Sequence, residues 1–69
     1  MKLHYYPETD SLYIELNPGP ETETREVAPG VNADLDASGA LVGLDIDQAS
    51  CKLDLSALET VGLPGARAA

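Results

Sequence analysis

Between Leu3 and Leu16 the chain alternates apolar and polar positions on either side of the tetrapeptide Pro7-Glu8-Thr9-Asp10. Successive side chains of a strand point to opposite faces, so such alternation marks a half-buried strand. With those four residues as the loop, the fixed φ of Pro7 suits the first central position of a type I turn. Tyr6 then faces Ser11, Tyr5 faces Leu12, His4 faces Tyr13, Leu3 faces Ile14 and Lys2 faces Glu15. This register gathers Leu3, Tyr5, Leu12, Ile14 and Leu16 on one side and Lys2, His4, Tyr6, Tyr13 and Glu15 on the other. A slip of one residue sets Leu3 opposite Glu15 and mixes the faces, so the pattern itself selects the pairing.

Asn17-Pro18-Gly19-Pro20 interrupts the alternation and is loop by composition. The stretch ETETREV at 21–27 alternates again, but it is too polar for a central strand and suits an edge, where charges discourage pairing with another chain. Pro29-Gly30 marks the next turn, across which the pattern leaves the register open. In VNADLDASGALVGLDI, residues 31 to 46, a two-residue loop at Ser38-Gly39 sets Leu35 against Val42, Ala33 against Leu44 and Val31 against Ile46. Asn32, Asp34 and Asp36 then share the opposite face with Leu41, Gly43 and Asp45. Beyond Asp47 the period changes. Ser56-Ala57-Leu58-Glu59 has the form of a capping box, Gly62 and Pro64 supply a stop, and Leu55, Leu58 and Val61 recur at helical spacing. The expectation is a short helix laid on the apolar face, stabilised by docking because so short a helix is marginal alone.

The order of these elements predicts an α+β fold: an antiparallel sheet of about five short strands built from hairpins, followed by one short C-terminal α-helix packed on the apolar face. Residues 1–64 are expected to form a single small domain and residues 65–69 a disordered tail. A chain of 69 residues buries only roughly 60% of the surface that its unfolded form exposes. So brief a helix leaves much of the apolar face uncovered, and a symmetric homodimer is the expected remedy. The alternative is a monomer in which Leu53, Leu55, Leu58, Val61 and Leu63 wrap the face as an extended arm.

Charge narrows the partners. Twelve Asp and Glu against four Lys and Arg leave a net charge of −8, which repels phosphate backbones and anionic membrane surfaces and so argues against nucleic-acid and membrane partners. A basic protein partner is compatible with it. The lone Cys51 cannot close an internal disulfide and no Cys/His spacing suggests zinc, which points to a reducing compartment, by default the cytoplasm. The opening MKLHYYPETD lacks the apolar core of a secretion signal, and ALVGL at 40–44 is far too short to cross a bilayer.

The residues YYPETDSLYIEL, PGVNADLDASGALVGLDI and QAS cover most of positions 5 to 50, and in this order they resemble a family of small bacterial proteins known as domain of unknown function 2283. The family pattern is similar: a tyrosine, a proline-acid turn with Asp before a Leu-Tyr-Ile strand, a Gly-Val strand with alternating acids, a Gly turn and a Val-Gly-Ile-type strand. The resemblance implies an antiparallel sheet of hairpins followed by a helix. Asn32, where an apolar or small residue is common, and the proline-rich loop at 17–20 depart from the pattern without disturbing that fold. The family brings no established activity, so the resemblance carries over no catalytic, cofactor-binding or metal-binding residue.

Three groups of side chains invite chemistry. His4 beside Tyr13, with Ser11 and Glu15 on the neighbouring strand, has the composition of a general base next to a phenol; the simpler reading is a cross-strand aromatic pair on a half-exposed face. Asp34, Asp36 and Asp45 share a predicted face on which a hard cation would find oxygen ligands, but carboxylates two residues apart on a strand sit about 7 Å apart at Cα and make a solvated acidic face instead. Cys51 beside Lys52 offers a thiol with a cation for company; an idle single cysteine is the simpler reading. The expected function is therefore that of a small acidic, non-catalytic protein-interaction module, with an antitoxin-like role against a basic partner as its specific form. The alternative is a small enzyme or metal-dependent binder using His4 and Tyr13 or the Asp34, Asp36 and Asp45 group.

Overall fold

The computed structural model describes residues 1–65. Its elements are β1 (Lys2–Tyr6), β2 (Ser11–Glu15), β3 (Glu23–Ala28), β4 (Val31–Leu35), β5 (Leu41–Ile46) and a short helix α1 (Ala49–Lys52). The strands form one antiparallel sheet in the order β1-β2-β5-β4-β3. The α+β expectation of five short hairpin strands followed by one short helix is met. Apart from Gly65, the tail expected over 65–69 lies outside the described residues.

The first hairpin adopts the register that the apolar pattern selects, from Lys2 opposite Glu15 to Tyr6 opposite Ser11. β2 then continues onto β5, with Leu12 opposite Ile46 and Ile14 opposite Leu44, and β5 onto β4, with Val31 opposite Ile46 and Ala33 opposite Leu44. Each pair is apolar on both strands, so one face of the sheet carries an apolar row across β1, β2, β5 and β4. β3 is the predicted polar edge, exposed along its whole length. The register left open by the sequence sets Arg25 opposite Ala33 and Glu26 opposite Asn32, with Val27 as the extra residue of a bulge before Ala28.

Two expectations need correction. Leu35 faces Leu41, not Val42. Asp36 donates its amide to the Ala40 carbonyl (2.9 Å) and Gly39 donates to the Asp36 carbonyl (3.0 Å), so the loop has three residues rather than two. Gly39 takes the left-handed conformation that such a loop requires, φ 85°, and Val42 becomes the unpaired residue of a bulge.

The helix also lies elsewhere. α1 covers Ala49–Lys52, while residues 53–61 are non-helical. Ser56, read as a cap, is itself held: its amide (3.1 Å) and hydroxyl (2.5 Å) both donate to the Asp54 carboxylate. The Ser56 hydroxyl and amide are thus engaged in a local Asx turn, and the single turn closed by Ala57 and Asp54 does not propagate. The core is thin. Leu12, Ile46 and Ala49 form its buried centre, with Ile14 and Val31 packed against them, and no large side chain among the described residues is fully buried.

Candidate functional site

The polar face of the sheet holds the side chains that carry chemistry. His4 and Tyr13 sit opposite each other on β1 and β2, with ring centroids 6.3 Å apart and planes inclined by 38°. His4 Nε2 lies 3.5 Å from Glu15 Oε1. Tyr13 extends over β5 at Gly43, where an added Cβ would overlap the phenol and lie 3.0 Å from the Ile14 carbonyl oxygen. Gly43 is therefore the opening into which the tyrosine fits. Partial burial raises the Tyr13 pKa, helped by the nearby Asp34 carboxylate.

Asp34 is the buried acid of the sheet. It accepts a hydrogen bond from the Thr24 hydroxyl on β3 (2.9 Å). Glu21, in the loop before β3, approaches the same carboxyl, and their hydrogen-bonded proximity raises the Glu21 pKa. Asp45 is raised as well, by partial burial and by the charges of Asp47 and Asp34.

Asp36 does not join the face to which the alternation assigned it. β4 ends at Leu35, and the Asp36 carboxylate turns into the hairpin loop to accept the Ser38 hydroxyl (2.6 Å) and the amides of Ser38 (2.9 Å) and Ala40 (3.0 Å). Those donors, the Ser38 hydroxyl foremost, lower its pKa. The predicted group of three acids is thus divided between a face and a turn. Among the described residues no three His, Cys, Asp or Glu side chains converge in a way that could hold a metal ion. Cys51 is exposed on α1, and the neighbouring Lys52 ammonium donates to the Asp47 carbonyl.

Asp10 does what no local pattern announces. It closes the first hairpin in the left-handed region, φ 52°, which Asp tolerates better than most residues. Its carbonyl accepts the Ala49 amide (2.8 Å), and its carboxylate accepts the Ser50 hydroxyl (2.7 Å), the Ser50 amide (3.1 Å) and the Tyr5 hydroxyl (2.8 Å). Gln48, the residue preceding α1, gives no side-chain cap. The start of α1 is therefore capped from a loop forty residues away. The Ser50 and Tyr5 donors hold the Asp10 carboxyl below its ordinary pKa, while the same bond raises that of Tyr5.

The opposite, apolar face is only partly covered. Leu53, Leu55 and Leu58 of the segment after α1 stand over Leu3, Tyr5, Leu12 and Ile14 and leave a groove of about 860 Å³ between them. Leu3 and Tyr5 remain 45% and 44% exposed, and Leu58 74%. Of the five residues of the alternative arm, Leu53, Leu55 and Leu58 stand over the face while Val61 and Leu63 are largely exposed, so the segment stops short of sealing it.

The sequence pattern of the family described as "Protein of unknown function (DUF2283)" matches residues 2–50, which run from the start of β1 into α1. Searches of curated proteins and of solved structures found no match.

Proposed function

Given that the chain belongs to the family described as "Protein of unknown function (DUF2283)", we propose that it acts as a non-catalytic protein-interaction module whose docking surface is the groove between the β1–β2 face and the segment after α1. The observation that carries this reading is the lining of that groove: Leu3, Tyr5, Leu12, Ile14, Leu53 and Leu58 present apolar surface together in one concave place, and a domain with so thin a core gains stability by burying it. The polar face supports the same reading, because Asp34 is engaged by Thr24 and His4 lies beside Glu15, while Asp36 is held away from that face in the β4–β5 loop by Ser38 and Ala40. A basic protein meets complementary charge there, which is the property an antitoxin-like role uses. In this reading the module works in the cytoplasm, where the exposed Cys51 stays reduced.

A photo-reactive benzoylphenylalanine in place of Leu58, expressed in the native host and irradiated, tests the docking surface. The expected result is a discrete protein adduct, with none from the same probe at Glu26 on the β3 edge. Absence of any adduct from position 58 would overturn the reading.

A further inference from the structure

We infer that the occupant of the groove is a second copy of this chain, joined β1 to β1 about a twofold axis at His4, an inference that rests on the groove being a docking surface. The first support is area. A folded monomer of this mass exposes about 4,100 Å², whereas this chain exposes 5276 Å². The excess of about 1,200 Å² is more than the roughly 800 Å² that each partner contributes to a standard interface.

The second support is the contrast between the two free edges of the sheet. β3 carries Glu23, Arg25 and Glu26 and is broken by the bulge at Val27, devices that discourage strand addition. β1 has an uninterrupted register, no proline and no bulge. Its outward backbone groups have no partner strand in the sheet order, which is the arrangement that accepts an added strand.

The third support is charge and symmetry. In a chain with twelve acidic residues, β1 (KLHYY) contains none, matching the depletion of charge at interface centres. Pairing β1 with itself antiparallel about His4 sets Leu3 of each copy opposite Tyr5 of the other on the apolar face. The apolar row then runs unbroken through a ten-stranded sheet, and Leu53, Leu55 and Leu58 of both copies lie over the seam. The contact is self-complementary, so it closes at two copies.

Light scattering and sedimentation equilibrium under reducing conditions, in about 0.3 M salt to screen the like charges of the two copies, test the association. The expected result is a mass twice the 7.2 kDa of one chain. Leu3→Lys and Leu58→Lys, each shown by circular dichroism to stay folded, are expected to raise the dissociation constant at least about tenfold, whereas Val27→Lys on the other edge leaves it unchanged. The axis has its own test. In a Cys51→Ser background, His4→Cys places two thiols across the twofold and forms a disulfide-linked dimer on mild oxidation, while Thr24→Cys does not.

A monomer mass that persists at millimolar concentration overturns the inference, as does a dimer weakened by Val27→Lys and indifferent to Leu3→Lys, or a dimer in which His4→Cys fails to cross-link. If the purified chain is monomeric while the Leu58 probe captures a foreign protein, this inference fails and the docking reading stands. If the probe captures nothing, both fail.

Discussion

The sheet and the segment from Leu53 to Gly65 use the same apolar residue types to opposite effect. In the sheet, Leu12 and Ile46 meet across an antiparallel ladder, and both are buried. In the segment after α1, Leu58, Val61 and Leu63 recur with comparable regularity, yet they are 74%, 88% and 52% exposed. An apolar pattern therefore builds an element only where backbone hydrogen bonds and a face to bury against arrive together. Where they do not, the pattern leaves a surface for another chain.

Truncating a leucine in each region sharpens that contrast most. Leu12→Ala removes the centre of the core and is expected to cost about 3 kcal/mol, whereas Leu58→Ala in the monomeric state is expected to stay within about 0.5 kcal/mol; urea denaturation at low micromolar protein measures both. A result with the two costs reversed would mean that the arm, not the sheet, holds the core.

Next in size is Gly43→Ala, expected to cost about 2 kcal/mol because the new methyl meets the Tyr13 phenol. In a Tyr13→Ala background the same change is expected to cost less than about 1 kcal/mol, a coupling that a double-mutant cycle reads directly.

Asp10→Asn keeps a residue that tolerates the left-handed backbone but removes the charge that caps α1. The amides of Ala49 to Leu53 are expected to exchange faster while those of β2 and β5 keep their protection. The pH dependence has a definite sign. The Asp10 carboxyl titrates lower when folded than its ordinary value of 3.8, so its stabilisation is fully present above that value and is lost as pH falls through the lowered folded pKa. The difference in melting midpoint between the parent and Asp10→Asn is therefore expected to be constant near neutrality and to close on acidification below about pH 4. A gap that widens in acid would contradict the assignment. The smallest effect is expected from Ser56→Ala, within about 0.5 kcal/mol by the same denaturation assay, since Ser56 caps no helix.

What could be read from the sequence follows the same division. The β1–β2 register was legible because a slip there places Glu15 against Leu3, and His4 beside Tyr13 follows from it. The lower part of the β4–β5 hairpin was legible for the same reason. Its loop was not, since Asp36-Ala37-Ser38-Gly39 supports a two-residue or a three-residue turn by composition, and the choice rests on how the Asp36 carboxylate is bonded. The capping-box motif misled because Asp54, two residues earlier, competes for Ser56. The proximity of Glu21 to Asp34 was hidden by the undetermined turn at Pro29-Gly30. α1 carried no local signal at all, because its cap comes from Asp10.

That remote cap orders events in time. The β1–β2 hairpin pairs neighbours in the chain, its strands joined by the loop from Pro7 to Asp10. Asp10, at the end of that hairpin's loop, has Tyr5 as a partner within the hairpin, but its bonds to α1 need Ala49 and Ser50, about forty positions further along the chain. Such distant contacts close slowly and only after the entropy of the intervening loop has been overcome. The Asp10–Ser50 clasp, with its partners forty positions apart, is therefore expected to close after the hairpin that carries Asp10.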